Sequence, residues 1–151
     1  MAVSLPLDVA LKQSERHAQV LRQALCDMPE HLSLEQMRQP DASLLRLVDQ
    51  FVLRFTKLQD TMGTHVLRQF AAIQLAEPVE DLPFIEVLHL FERHGYLTAE
   101  AWALQRGVRN ALAHEYPEDP LRLVLALNDA KQKAQQLIDW LDQIKAKIDP
   151  V

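Results

Sequence analysis

Apolar residues recur every three or four positions over most of the chain, a spacing that places them along one face of an α-helix. The first such stripe predicts a long helix near residues 7–27, which ends before Pro29. Its members are Leu7, Leu11, Ser14, Ala18, Leu21, Leu25 and Met28, with a serine in one of the apolar positions. The two-residue alternation of a half-buried strand competes with this spacing nowhere in the chain.

A second stripe predicts a long helix near residues 42–76, with Asp41 as its N-cap. The stripe comprises Leu44, Val48, Phe51, Phe55, Leu58 and Met62, and resumes with Phe70 and Ile73. Gly63 lies inside this helix, where glycine costs roughly 1 kcal/mol relative to alanine. We therefore expect a kink or a close contact with another helix at Gly63.

A third stripe predicts a long helix near residues 120–148, with Asp119 as N-cap and Pro120 in the first turn. It comprises Leu123, Leu127, Ala130, Ala134, Leu137, Leu141, Ile144 and Ile148. Shorter helices are predicted from Ser33 to before Pro40, from Pro83 to Gly95, and from Ala99 to about Ala113. The fold class expected is all-α, an antiparallel helical bundle in a single domain that spans residues 1–151.

Composition agrees with this fold class. About 48% of the 151 residues are hydrophobic and 25% are charged, so the chain has enough apolar material to offset the entropy of ordering it. Only three residues are glycine, too few for the many turns of a β-sandwich or barrel. The single cysteine, Cys26, excludes an internal disulfide, and we expect it to be a buried small hydrophobic residue.

The net charge and the lengths of the apolar segments limit the classes of partner that we expect. No basic region followed by an apolar stretch opens the chain, and no apolar run approaches the roughly 18 residues that span a bilayer. We therefore expect a cytoplasmic protein without a membrane partner. The net charge of −5 gives no general attraction to nucleic acid, so an RNA-directed role requires a local basic patch.

Polar groups concentrate at the end of the predicted helix from Ala99 to Ala113. Asn110 and His114 are four residues apart and so share one helical face, and the long side chain of Arg109 can reach the same rim. Tyr116 precedes a proline, which favours a turn conformation. Alanines in this segment permit close approach of another helix. Together these features predict a polar notch at a helix–helix contact.

The string RNALAHEY at residues 109–116 resembles the Arg-x4-His-x-Tyr motif of HEPN-domain toxins of the HepT type. The stretch from Arg54 to Asp60 is similar to the corresponding long helix of HepT-like proteins. The resemblance implies a dimeric bundle of four or five helices that acts as a metal-independent endoribonuclease, without a cofactor. It also implies a nucleotidyltransferase antitoxin that silences the toxin by adding AMP to the motif tyrosine, which corresponds to Tyr116.

Elementary chemistry is consistent with this activity. Cleavage of RNA without a metal needs a base for the 2′-hydroxyl proton and an acid for the leaving 5′-oxygen, and histidine titrates near neutrality. We assign His114 to proton transfer, Arg109 to the scissile phosphate, and Asn110 to orienting one of them. Each chain offers one such histidine, which favours a homodimer with two motifs facing one cleft. Arg106, Lys57 and Arg54 are candidate contacts to the RNA backbone, with transfer RNA or messenger RNA as the substrate.

Other interpretations remain open at this stage. Arg109 and His114 can simply favour the negative end of a helix dipole, Tyr116 can be a packed turn residue, and the basic side chains can be a solvated face. No zinc-like spacing accompanies His89 and His94, so we expect no metal site. The alternative function is a non-catalytic helical partner, or substrate-binding subunit, of a nucleotidyltransferase. A purely structural helical adaptor is a third possibility.

Overall fold

A computed structural model describes residues 5–114 and 118–148, and within these ranges the regular structure is entirely helical. The elements are α1 (Leu7–Asp27), α2 (Leu34–Arg38), α3 (Ala42–Thr61), a π-helical turn (Met62–Val66), α4 (Leu67–Ile73), α5 (Phe84–Arg93), α6 (Ala99–Ala113) and α7 (Pro120–Ile148). The all-α fold class is therefore confirmed, and the first and third long helices match their expected bounds.

Helices begin where the sequence places capping side chains. The Asp41 carboxylate accepts a hydrogen bond from the Leu44 amide at 2.8 Å and starts α3. Ser33 and Gln36 form a reciprocal capping box at α2, and the Thr98 hydroxyl accepts from the third residue of α6. Gly95, with φ of +80°, follows α5 in the left-handed conformation that glycine adopts without strain.

The second long helix differs from its prediction in its last third. The Leu67 amide donates to the Met62 carbonyl five residues earlier, which defines a π-helical turn with one extra residue. That residue shifts the buried face, so Met62, Val66 and Phe70 are fully buried at spacings of four. The helix then ends at Ile73, three residues early. The prediction that Ile73 continues the stripe is wrong, since 58% of this residue is exposed.

One apolar core joins the helices. Helix α1 packs along α3, and α6 packs on α7, with stacked phenylalanine pairs inside the bundle. The rings of Trp102 on α6 and Trp140 on α7 stack with their centroids 6.1 Å apart. A Cβ atom on Gly63 would lie 3.0 Å from Cζ2 of Trp102, so the expected close helix contact is confirmed. This contact sets how near α6 lies to the end of α3.

Ion pairs connect the first and last helices at the surface. Glu15 on α1 pairs with Lys145 on α7 at 2.5 Å, and Arg22 pairs with Asp142 at 2.7 Å. Partial burial opposes ionisation of Glu15, but Lys145 and Arg22 outweigh it and lower the pKa of the carboxyl group.

Two further observations concern Cys26 and the membrane. The side chain of Cys26 is exposed, so the expectation that it is buried is wrong. Across the described residues, no helix is both long enough and apolar enough to cross a bilayer.

Candidate functional site

The last turns of α6 carry the predicted functional residues. Arg106, Arg109 and Asn110 lie inside the helix, and His114 is its C-cap residue. The His114 backbone turns to an extended conformation, with φ of −89° and ψ of 142°, while its amide still donates to the Ala111 carbonyl. The side chains of Arg106, Asn110 and His114 are exposed, so three polar groups face solvent at one helix end.

Arg109 is held by a carboxylate from another helix. Its Nε donates to Oδ1 of Asp60 at 3.2 Å and its Nη2 donates to Oδ2 at 2.9 Å, a two-point ion pair between α6 and α3. Arg106 Nη1 lies 4.0 Å from Oδ1 of the same carboxylate. A single aspartate therefore holds Arg109, which belongs to the predicted motif, and lies within 4.0 Å of the second guanidinium group, that of Arg106.

Sequence reasoning missed the role of Asp60. Its partners are 46 and 49 residues away in sequence, and spacing along one helix cannot reveal a pair between two helices. The available signal was its place in the stretch from Arg54 to Asp60 that resembles the HepT-like long helix.

The structure separates Asn110 from His114. Asn110 lines a cleft of about 710 Å³ together with Asp60 and Arg106. His114 lines a mostly apolar groove of about 600 Å³ with Leu53 and Thr56 of α3. In the single chain, the two residues thus border different depressions, although both are exposed on the last turns of α6.

The remaining predicted residues fall into two groups. Tyr116 lies outside the described residues. Arg54 is directed towards α1, where its Nη1 lies 3.0 Å from Nδ1 of His17, and so does not join Arg106 and Arg109. Lys57 is exposed on α3, one turn before Asp60.

Four basic residues gather where α1 meets α3. Burial lowers the pKa of His17, and Arg54, Lys57 and Arg16 lower it further by repelling the protonated ring. A guanidinium group can only donate, so the contact with Arg54 requires Nδ1 of His17 to accept, as the neutral ring does. The predicted contacts Arg54 and Lys57 thus belong to a positive patch where α1 meets α3.

Comparisons with family models, curated proteins and solved structures returned no match. Among the described residues, no three histidine, cysteine or carboxylate side chains are grouped so that they could hold a metal ion. What remains as a basis for function is the chemistry of this helix end: two guanidinium groups beside an exposed amide and an exposed imidazole. Such a set suits the binding of a phosphate and the transfer of a proton.

Proposed function

We propose that this protein is a homodimeric, metal-independent endoribonuclease of the HepT type within the HEPN toxins. The observation that supports it most is the exposed strip of Arg106, Asn110 and His114 along the end of α6, beside an Arg109 fixed by Asp60. The all-helical architecture agrees with the bundle that the resemblance implies. Residues 109–116 supply the motif.

In the proposed reaction, Arg109 and Arg106 bind the scissile phosphate and stabilise the charge that develops on it. The ion pair with Asp60 uses Nε and Nη2 of Arg109, which leaves Nη1 for a phosphate oxygen. One His114 takes the 2′-hydroxyl proton, the 2′-oxygen attacks phosphorus, and the bond to the 5′-oxygen breaks. A second imidazole protonates that oxygen, so the products carry a 2′,3′-cyclic phosphate and a 5′-hydroxyl.

The need for a second imidazole is the reason to propose a homodimer. Each chain has one motif histidine, and two motifs facing one cleft supply both the base and the acid. The apolar groove beside His114 supports this arrangement, because Leu45 and Leu53 on its wall are each 47% exposed. Exposed apolar patches of this kind are typical of protein contacts, and a two-fold axis would bring the same patch from both copies together.

Control by a nucleotidyltransferase antitoxin is part of the proposal. AMP on Tyr116, two residues beyond His114, would add bulk and negative charge next to the motif. RNA phosphates would then be repelled from the helix end without any change in fold.

Expression of the chain alone tests this function. We expect growth arrest, relieved by His114→Ala and by Arg109→Ala at equal protein levels, while Lys147→Ala at the far end of α7 remains toxic. Harmless expression of soluble wild-type protein would contradict the proposal.

A non-catalytic partner of a nucleotidyltransferase is the second candidate. It is favoured by the use of Arg109 in a two-point ion pair and by the separation of Asn110 from His114. Such a protein would be harmless when expressed alone and would co-purify with its enzyme, and His114→Ala would leave that association intact.

A further inference from the structure

A cleft of about 710 Å³ lies beside the Asp60–Arg109 pair, between the end of α3, α5 and α6. Its apolar lining includes Phe84 and Leu88 of α5 and Trp102 of α6. The Trp102 ring stacks on Trp140 and meets the edge of Phe84, which fixes it in place. A rigid, largely apolar depression of this volume is the kind that binds small planar ligands.

Polar groups surround this apolar floor. Asp60, Thr64, Arg106 and Asn110 line the cleft with groups that can donate or accept hydrogen bonds. This lining offers both donors and acceptors to the polar edge of a ligand.

Charge at the mouth of the cleft favours a phosphorylated ligand. Two of the lining side chains, Arg68 and Arg106, are cationic. The Asp60 carboxylate, which also lines the cleft, is already neutralised by Arg109 at 2.9 Å. Arg68 already donates to the Val79 carbonyl, so Arg106 is the lining cation that a phosphate would meet. A phosphate held by Arg106 lies within one nucleotide's reach of the apolar floor, whereas an apolar peptide would offer Arg106 no counter-ion.

We propose that this cleft binds a nucleobase of the RNA next to the scissile phosphate, and so sets the base preference of cleavage. The base packs on the apolar walls, and its polar edge meets Asn110 and Thr64. This inference rests on the proposed ribonuclease function, but binding can be measured without any cleavage.

Titration of the purified chain with the four nucleoside 3′-monophosphates tests the proposal by calorimetry and by tryptophan fluorescence. We expect saturable binding with a change in fluorescence from Trp102, and preference for one base. Ribose 5-phosphate and inorganic phosphate should bind at least about tenfold more weakly, a difference of roughly 1.4 kcal/mol. Equal binding of the nucleotides, ribose 5-phosphate and inorganic phosphate would reduce the site to an anion contact and overturn the proposal.

A matched pair of variants locates the binding. Ala103 is exposed and lies on the rim shared by the cleft and the neighbouring depression, so Ala103→Phe adds bulk at the edge of the cleft. Leu104 is 54% exposed and lines a different depression, so Leu104→Phe adds bulk outside the cleft. We expect Ala103→Phe to weaken nucleotide binding at least about tenfold and Leu104→Phe to change it less than about twofold, with both variants folded by circular dichroism.

Unchanged binding in a folded Ala103→Phe protein would overturn the assignment, as would the absence of any nucleotide binding by the wild-type chain. If a second copy of the chain covers the cleft instead, the wild-type protein would be a dimer that binds no nucleotide, and Ala103→Phe would dissociate this dimer. Nucleotide binding by a chain that cuts no RNA would support the pocket while contradicting the ribonuclease function, so the two failures are distinguishable.

Discussion

At the residue scale, Asp60 is the side chain that organises the motif. An unpaired arginine samples many rotamers, whereas a two-point ion pair fixes the plane of the guanidinium group. Arg109 is 25% exposed in its side chain and reaches solvent only in part. The carboxylate thus acts as a positioning group for the arginine that would meet the phosphate.

We expect Asp60→Asn to lower the rate of RNA cleavage by about tenfold to a hundredfold, because a misplaced catalytic group costs rates of that order. The pH profile of the remaining activity should be unchanged, since His114 is untouched. Single-turnover cleavage of a labelled RNA measures both. Asp129→Asn, at an exposed position on α7, removes the same charge and should leave the rate as in the wild type. A wild-type cleavage rate for Asp60→Asn would show that Asp60 does not position the catalytic arginine.

His17 has a pKa below its ordinary value of 6.5 because burial and the neighbouring cations disfavour the protonated ring. Between the folded and the unfolded pKa, the unfolded state binds more protons, so stability falls as the pH drops below about 6.5. We expect His17→Gln to reduce the loss of unfolding free energy between about pH 7.5 and pH 5, since its amide oxygen can still accept from Arg54. Urea denaturation at both pH values measures the change.

The control for this experiment is His31→Gln, at an exposed histidine between α1 and α2. This variant should keep the pH difference of the wild type. If His17→Gln also keeps the pH difference of the wild type, the positive patch around His17 does not oppose protonation of this histidine.

Tyr116 carries the regulatory part of the proposal. Tyr116→Phe lacks the hydroxyl group that would accept AMP, so we expect it to stay toxic when the partner nucleotidyltransferase is co-expressed. Growth of co-expressing cells and the mass of the purified chain report the result. Full silencing of Tyr116→Phe, or an unmodified wild-type chain, would show that control does not act through this residue.

At the element scale, the π-helical turn and Gly63 together set the contact between α3 and α6. A Cβ atom at Gly63 would press on Trp102, whose ring is 3% exposed and held between Trp140 and Phe84. Gly107 lies inside α6, and a Cβ atom there would meet nothing within 4 Å. The two glycines therefore offer a comparison between a crowded and an open position inside a helix.

We expect Gly63→Ala to destabilise the protein by about 1–2 kcal/mol, because the crowding of Trp102 exceeds the gain in helix propensity. Gly107→Ala should stabilise it by up to about 1 kcal/mol, since α6 gains propensity without a clash. Chemical denaturation gives both values. A stabilised Gly63→Ala protein would mean that the Trp102 ring can shift.

The bounds of α1 and α7 and the caps at Asp41, Ser33 and Thr98 were predictable, because they depend on local spacing and on side chains next to the backbone they satisfy. Ile73 was not, since α4 ends at this residue and leaves its side chain exposed, whereas Phe70, one turn earlier, is buried as the stripe predicts. The exposure of Cys26 was not predictable either. This residue follows Leu25, a half-buried leucine at the edge of the apolar stripe, where the residue type alone does not decide whether a side chain is buried.

At the scale of the whole molecule, the net charge of −5 coexists with a local concentration of cations. Arg106 lies near Asp60, while Arg54, Lys57 and Arg16 surround His17. The sequence could indicate which residues of α6 form the candidate site. It could not indicate that Arg109 would find its partner on α3, or that Asn110 and His114 would border different depressions, because both depend on how helices distant in sequence pack.

The central claim is that two copies of this helix end together break a phosphodiester bond without a metal. The most direct measurement is incubation of the purified protein with cellular RNA in excess EDTA, followed by analysis of the new 3′ ends. We expect 2′,3′-cyclic phosphate ends, formed equally with and without EDTA and lost in His114→Ala. Intact RNA, or cleavage that stops with EDTA and returns with Mg²⁺, would contradict the claim.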